Sequence, residues 1–435
     1  MPGQTIRVAF HTLGCKLNFA ETSTIARSLP PEQFRRVPFS DEADIYIINT
    51  CSVTDAADKK CRQAIKKITS HHPEAFVAVV GCYAQLKPAE IASIPGVDLV
   101  LGTSEKFDIP KYIGNLKKRS APEIHSCEIE AAGTFSPSWS AGDRTRSFLK
   151  VQDGCDYKCS YCTIPMARGK SRNLPIAECV REAEKIAESG VREIVLTGIN
   201  TGDFGKSTGE KFTDLLTALI KVEGIERYRI SSIEPNLITD EIIEMAARGV
   251  KLMPHFHIPL QSGCNRTLAS MKRRYNRELF ADRVNKIRSL MPLAGIGADV
   301  ITGFPGETDA DHADTVEFLS GLPLSYLHVF RFSERPGTVA ADLPAKVPHK
   351  IKEERSRQLI RLSESKKLTF NRLHLGLVEP VLFEQTRADG SATGFTPGYI
   401  RVIVPERKGL TGKITNVKLT GAAEDGDMAG ELTEM

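Results

Sequence analysis

The chain reads as an α/β protein in three parts: an N-terminal α/β domain built on a parallel sheet, a central partial (β/α) barrel, and a small C-terminal β-barrel. Three observations predict this. Apolar, β-branched runs alternate with helical stretches through the first third, strand–helix units repeat through the middle, and short alternating strands with glycine turns replace them from about residue 371. The expected boundaries are 1–140, 141–370 and 371–435.

In the first part Ile6 to Phe10, Asp44 to Ile48 and Phe76 to Val80 read as buried strands, with Asn18 to Leu29 and Thr54 to Ile68 as helices between them. Alternating strands and helices imply a parallel sheet, whose strand C-terminal ends share one edge. A cysteine follows each strand: Cys15 in Thr12-Leu13-Gly14-Cys15-Lys16-Leu17-Asn18, Cys51 in Asn49-Thr50-Cys51-Ser52-Val53-Thr54, and Cys82 in Gly81-Cys82-Tyr83-Ala84. One buried cysteine past a strand means little, because free cysteines favour the interior. Three such placements along one sheet edge point to a ligand set, with Gly14 and Gly81 letting the backbone turn sharply beside a bulky group.

The middle strands are expected at Phe148 to Gln152, Glu193 to Thr197, Arg229 to Ile233, His255 to Pro259, Gly297 to Ile301 and Leu327 to Phe332. Parallel strands closing towards a barrel carry their active-site loops at the C-terminal mouth. Directly after the first strand comes Asp153-Gly154-Cys155-Asp156-Tyr157-Lys158-Cys159-Ser160-Tyr161-Cys162. Three soft thiolates spaced C-x3-C-x2-C suit iron–sulfur chemistry. A structural zinc or an electron-transfer cubane normally takes four protein ligands, so three leave one iron open to a substrate or cofactor. A zinc knuckle lacking a ligand is the competing reading.

The C-x3-C-x2-C spacing with an aromatic before the last cysteine resembles the signature of radical S-adenosylmethionine (SAM) enzymes. Together with the motifs at Gly14 to Asn18, Asn49 to Thr54 and Gly81 to Gln85, it resembles the methylthiotransferase family of that superfamily over nearly the whole chain. The resemblance implies two 4Fe–4S clusters as cofactors, one on Cys155, Cys159 and Cys162 and one on Cys15, Cys51 and Cys82, together with SAM. One SAM would methylate a sulfur held at the second cluster, and another would be cleaved to a radical at the first. By the same resemblance Tyr161 would contact the adenine of SAM. Thr197, Gly198 and Asn200 would lie near its amino group, although the superfamily often has a glycine pair where this chain has Thr197-Gly198. Ser232, Glu234, Gln261 and Asp299, at later strand ends, are candidates for the ribose, the methionine carboxylate or the substrate. Each of these can instead cap a helix.

The resemblance makes the C-terminal barrel a TRAM-like RNA-binding domain, with Arg387, Arg401, Arg407 and Lys408 as RNA contacts and the acidic tail from Glu424 onward making none. From Lys346 to Arg372 nine basic residues face three acidic ones on an expected helix, a stripe able to follow phosphates or simply to be solvated. The implied partners are the anticodon stem-loop of a tRNA and a low-potential electron donor. Within the family, Thr12-Leu13-Gly14-Cys15-Lys16-Leu17-Asn18 and Phe148 to Cys155 resemble the threonylcarbamoyladenosine branch. That branch methylthiolates C2 of the base at position 37. The isopentenyladenosine branch and the branch acting on a ribosomal-protein aspartate are the alternatives, followed by a non-catalytic RNA-binding protein stapled by metal. Lys272, Arg273 and Arg274 are expected to supply charge for the threonylcarbamoyl carboxylate, or to form a helix surface.

Composition agrees with an intracellular enzyme. The chain has 435 residues, a net charge of +4, no signal-like start and no apolar run near the ~20 residues a membrane helix needs. A cytoplasmic monomer is expected. Ten cysteines without an export signal suggest metal ligation rather than disulfides. Cys61, Cys127, Cys179 and Cys264 lack ligand-like spacing and read as structural, although Lys59, Lys60 and Arg62 are placed to lower the pKa of Cys61.

Overall fold

The computed structural model describes residues 5–113, 118–129, 133–142, 145–405, 409–423 and 426–433. The first part is a six-stranded, all-parallel sheet of β1 (Ile6–Thr12), β2 (Phe34–Val37), β3 (Ile45–Thr50), β4 (Phe76–Gly81), β5 (Leu99–Leu101) and β6 (Glu123–His125), in the order β2-β1-β3-β4-β5-β6. Every residue of β3 and β4 is buried, as expected where helices cover both faces of a parallel sheet. Alternate side chains serve separate cores. Tyr46, Ile48, Val77 and Val79 pack with Ile65 and Ile68 of α2 (Asp55–His71), while Ile45, Ile47, Phe76 and Ala78 pack with Ile25 of α1 (Lys16–Arg27). The side chain of Thr54 caps α2, accepting from the Ala57 N–H at 3.1 Å.

The central part holds six parallel strands. β7 (Arg146–Lys150) leads to β8 (Gln152–Asp153) and β9 (Arg172–Asn173), a short antiparallel pair that brackets the cysteine loop. β10 (Glu193–Thr197) and β11 (Arg227–Ile230) join β7 in one sheet. β12 (His255–Gln261), β13 (Gly295–Thr302) and β14 (Tyr326–Arg331) form another. Isolated bridges Tyr228–Leu252 and Ser232–His257 connect the two into an open arc, the expected partial barrel.

The C-terminal barrel is closed: β15 (Val378–Thr386), β16 (Ala392–Phe395), β17 (Arg401–Val404), β18 (Ile414–Ala422) and β19 (Met428–Leu432), in the order β15-β16-β17-β19-β18. Val381, Phe383, Val402, Val417, Leu419 and Met428 fill it. Residues 409–413 form the turn that leads into β18, closed by Gly412 N–H to Phe383 O and Lys413 N–H to Leu410 O. The supposed acidic tail contributes β19, and its buried Asp427 is the counter-charge of Lys367, Arg387 and Arg401. Two of the arginines expected to meet RNA therefore pair within the barrel; Arg407 and Lys408 lie outside the described residues.

The barrel docks beneath the central strands. Arg227 donates to Pro380 O (2.6 Å) and Phe395 O (3.2 Å), Arg229 donates to Pro397 O (2.9 Å), and Arg146 pairs with Glu384 at 2.5 Å. The basic stripe does form a helix, His349–Leu373, but much of its charge is engaged. Arg355 is buried on Glu307 and Asp309, and Lys366 donates to the carbonyls of Ser320 and Leu322. Lys350, Arg361 and Arg372 remain exposed.

Candidate active site

The contiguous cysteines stand on a loop whose base is clamped by the β8–β9 pair. Gly154 adopts φ +70°, and a Cβ there would lie 2.0 Å from Lys170 O, so the loop leaves β8 by a path that only glycine follows. Cys155 N–H closes the turn on Gly169 O at 3.0 Å. Further along, Ser160 N–H donates to Met271 O and Ala340 N–H to Ser160 O, which ties the loop to distant segments. Backbone N–H groups of Tyr157 and Ile164 point at the sulfurs of Cys155 (3.4 Å) and Cys162 (3.5 Å), and Arg273 donates to Cys159 Sγ at 2.9 Å. Such N–H···S contacts are the usual outer shell of a cluster held by thiolates.

All three thiols are free and face one cavity of ≈ 360 Å³. Burial, then the neighbouring cysteines, push Cys155 up to about 11 and Cys162 up to about 12. Burial also raises Cys159, against the pull of Arg273. Three protonated thiols facing one cavity favour a cation that would take up their charge on deprotonation.

Tyr161, Asn200, Ser232, Glu234, Gln261 and Asp299 line the same cavity. Asn200 is 3% exposed, and its side-chain amide forms no hydrogen bond within the described chain. Gln261 takes φ +70° at the irregularity ending β12. Asp299 accepts from His257 at 2.8 Å. Thr197 and Gly198 are not among the lining residues. The Thr197 hydroxyl donates to Leu149 O (3.0 Å), and Gly198 packs on Gln152, leaving Ile199 and Asn200 to reach the cavity. Arg273 does not offer free charge either: it is paired with Glu234 and donates to Tyr161 Oη at 3.3 Å. Arg274 stacks over Tyr157, 4.0 Å from its centroid, and Lys272 is exposed outside the lining. Of the three basic residues at 272–274 only Arg273 lines the cavity; Arg331 also lines it and was missed, because an isolated arginine carries no motif signal.

The second set of cysteines comes together from three strand ends. Cys15 precedes α1, Cys51 follows β3, and Cys82 opens α3 (Cys82–Leu86) directly after β4. Cys51 and Cys82 are 6% and 5% exposed, whereas Cys15 is accessible. Gly14 at φ +109° lies so close that a Cβ would sit 2.7 Å from Cys51 Cβ. Burial, then Cys82 with Cys15 behind it, push Cys51 up to about 12. The motif asparagines build the frame. Asn18 donates to Leu13 O (2.8 Å) and Thr50 O (3.1 Å), and Asn49 donates to Asn18 O (3.1 Å). Cys61 is not activated by its basic neighbours. It is 1% exposed, donates to Cys51 O, and burial pushes it up to about 11.

Behind this triad lies a buried charge cluster that joins the two cysteine regions. Arg168 bridges Glu21 (3.0 Å) and Asp153 (2.9 Å) and donates to Asn18 Oδ1 (2.8 Å), while Lys106 and Lys150 also pair with Glu21. Nearer the cavity, Thr163 Oγ1 donates to Ser52 O at 3.4 Å, so the residues just after Cys162 and Cys51 touch. Both loops also reach the cavity, the second through Val53 and Thr54. Each three-thiol set has the donors for an iron–sulfur cluster with one iron left for a small ligand; the contiguous set lines the cavity, and the loop after Cys51 borders it.

A family model described as the radical SAM superfamily matches residues 149–319, and one described as uncharacterized protein family UPF0004 matches residues 7–102. The threonylcarbamoyladenosine tRNA methylthiotransferase MtaB of Bacillus subtilis (strain 168) is 40% identical over 425 residues, 95% of this chain and 94% of its own. The MtaB of Thermotoga maritima is 36% identical over 429 residues, 97% and 96% of the two chains. The tRNA-2-methylthio-N(6)-dimethylallyladenosine synthase of Syntrophomonas wolfei is 33% identical, covering 94% of each. Among solved structures, the radical SAM methyltransferase TsrM of Kitasatospora setae shares the fold, with a TM-score of 0.58 at 14% identity over 82% of each chain. The chain belongs to the radical SAM methylthiotransferase family, in the branch of the relatives named MtaB.

Proposed function

We propose that this enzyme methylthiolates C2 of N6-threonylcarbamoyladenosine at position 37 of a tRNA, consuming two SAM and holding two 4Fe–4S clusters. The observation that carries the reading is the meeting of both cysteine loops at one cavity, where Thr163 touches Ser52. Bound there, the clusters and SAM would supply the radical and sulfur chemistry that no side chain can perform. Cys155, Cys159 and Cys162 hold one cluster; Cys15, Cys51 and Cys82 hold the other. Tyr161, Asn200, Ser232, Glu234, Gln261 and Asp299 position SAM. Arg273 is a positioning residue, tying Cys159, Tyr161 and Glu234 into one arrangement. The apolar side chains of Val53, Ile164, Ile199, Ile301 and Phe332 exclude water and receive a base turned out of the single-stranded anticodon loop.

The substrate choice is supported by the MtaB-named relatives at 36–40% identity, above the 33% of the dimethylallyladenosine enzyme. The closed five-stranded barrel is the TRAM-like unit of the expected 371–435 domain, following a 1–140 methylthiotransferase domain and a 141–370 radical SAM core. The enzyme acts as a cytoplasmic monomer fed by a low-potential electron donor. No helix of the described residues is long and apolar enough to cross a membrane. Deleting the gene and analysing digested tRNA by mass spectrometry tests the reading. Methylthio-threonylcarbamoyladenosine should vanish while methylthio-isopentenyladenosine persists, and the reverse would overturn it. Anaerobically purified protein should be brown; a colourless zinc protein would return the chain to a metal-stapled RNA binder.

A further inference from the structure

We propose that Arg331 recognises the carboxylate of the threonylcarbamoyl group and so decides which modified adenosine the cavity accepts. The inference rests on the substrate reading above. Among the described residues, every other acidic or basic side chain lining the cavity has a side-chain partner. Glu234 is matched by Arg273, and Asp299 sits between His257 and His328. Arg331 lines the same cavity, and its guanidinium makes neither an ion pair nor a hydrogen bond among the described residues.

Its place in the fold suits a substrate more than a structural role. Arg331 ends β14, paired in register with Thr302, and its neighbours Phe330, Phe332 and Ser333 also face the cavity. Ser333 Oγ accepts from the Asp55 N–H at 3.0 Å, so the segment after β14 touches the start of α2, just past Cys51. Arg331 thus stands in the seam between the two cysteine sets, where a base must lie to be reached from both. Asp55, whose N–H meets Ser333, forms no ion pair with Arg331 among the described residues. A threonylcarbamoyl group ends in a carboxylate, which a guanidinium meets with two parallel hydrogen bonds. An isopentenyl group has nothing to offer that cation and would desolvate it without compensation.

The test uses the reconstituted full chain and three anticodon stem-loops that differ only at position 37: threonylcarbamoyladenosine, its methyl ester and isopentenyladenosine. Affinity and kcat/KM are measured for each, with and without SAM. Wild type should favour the acid over the ester by about ten- to a hundredfold. Arg331→Gln should bring that ratio close to one, and Arg331→Lys should keep part of it. An unchanged ratio in the glutamine variant overturns the proposal while leaving the substrate reading intact. Equal losses on all three RNAs, with weakened SAM affinity, would assign Arg331 to SAM instead and also overturn it. Should the glutamine variant fail to fold, the wild-type ratio and the lysine variant still decide, since a wild type that treats acid and ester alike is incompatible with the proposal. A wild type that modifies only the isopentenyl RNA overturns both the substrate reading and this inference.

Discussion

Cys155, Cys159 and Cys162 are placed by one loop, clamped at its base by two residues of β8 and two of β9. Cys15, Cys51 and Cys82 are placed by three strands, and meet only because β1, β3 and β4 are neighbours in the sheet. The first site is a local object; the second is a product of tertiary structure. Closing a short loop costs little chain entropy, whereas bringing three distant segments together depends on the surrounding core. The dispersed site should accordingly be the easier one to lose without touching the other.

The largest effects come from the cysteines themselves. Reconstituted enzyme should hold about eight irons, two cubanes' worth. Replacing Cys155, Cys159 and Cys162 by alanine should halve the iron and abolish reductive SAM cleavage. Replacing Cys15, Cys51 and Cys82 should also halve the iron, yet keep SAM cleavage while ending methylthio transfer. An N-terminal triple variant that methylthiolates RNA normally would break the comparison outright.

Next in size is the buried charge cluster behind the dispersed site. Glu21→Gln leaves Arg168, Lys106 and Lys150 undercompensated, and should cost about 3–5 kcal/mol in urea unfolding of the metal-free protein. Burial alone would raise Glu21, but Arg168, Lys106 and Lys150 hold it well below its ordinary value of 4.5. Asp153 is likewise held low against burial, by Arg168, Lys150 and Arg172. Both carboxyls bind protons more readily in the unfolded chain. Their stabilisation is therefore complete at neutral pH and lost as pH falls below about 4.5. Stability measured from pH 7 to pH 3 should fall steeply in wild type and less steeply in the glutamine variant.

Two glycines sharpen the contrast at smaller cost. Gly14→Ala places a Cβ 2.7 Å from Cys51 Cβ, and Gly154→Ala places one 2.0 Å from Lys170 O, each at positive φ. Each should destabilise by about 1–3 kcal/mol. Iron content and electron paramagnetic resonance should show the first variant losing the dispersed cluster and the second the contiguous one. Identical spectra in both would mean that the sites are not independent.

The smallest effect is expected at the RNA face. Lys350, Arg361 and Arg372 are exposed and make no ion pair among the described residues, so neutralising each should lower the salt slope of tRNA binding by about one. Lys366 and Lys367, already engaged by carbonyls and by Asp427, should change it less. Truncating the chain at residue 371 is a poorer probe, because it would strip the buried Arg227 and Arg229 of their carbonyl partners.

The fold class, the six cysteines and the motif asparagines are legible in the residues alone, because period and spacing are local properties that a linear chain displays. Several of the cavity-lining residues are legible as well, since parallel strands send their C-terminal ends to one mouth: Ser232, Gln261 and Asp299 follow from strand position alone. Where charge is available depends instead on long-range packing. Arg273 looked free until Glu234 and Tyr161 met it, Arg387 and Arg401 until Asp427 turned inward on an unforeseen strand, and Lys366 until two carbonyls capped it. Arg331 and Arg168 have the same side chain and opposite circumstances, one open to the cavity and one sealed between two acids. Whether a guanidinium binds a ligand or a neighbour depends on partners tens of residues away or more, and a charge carries no period by which the sequence announces them.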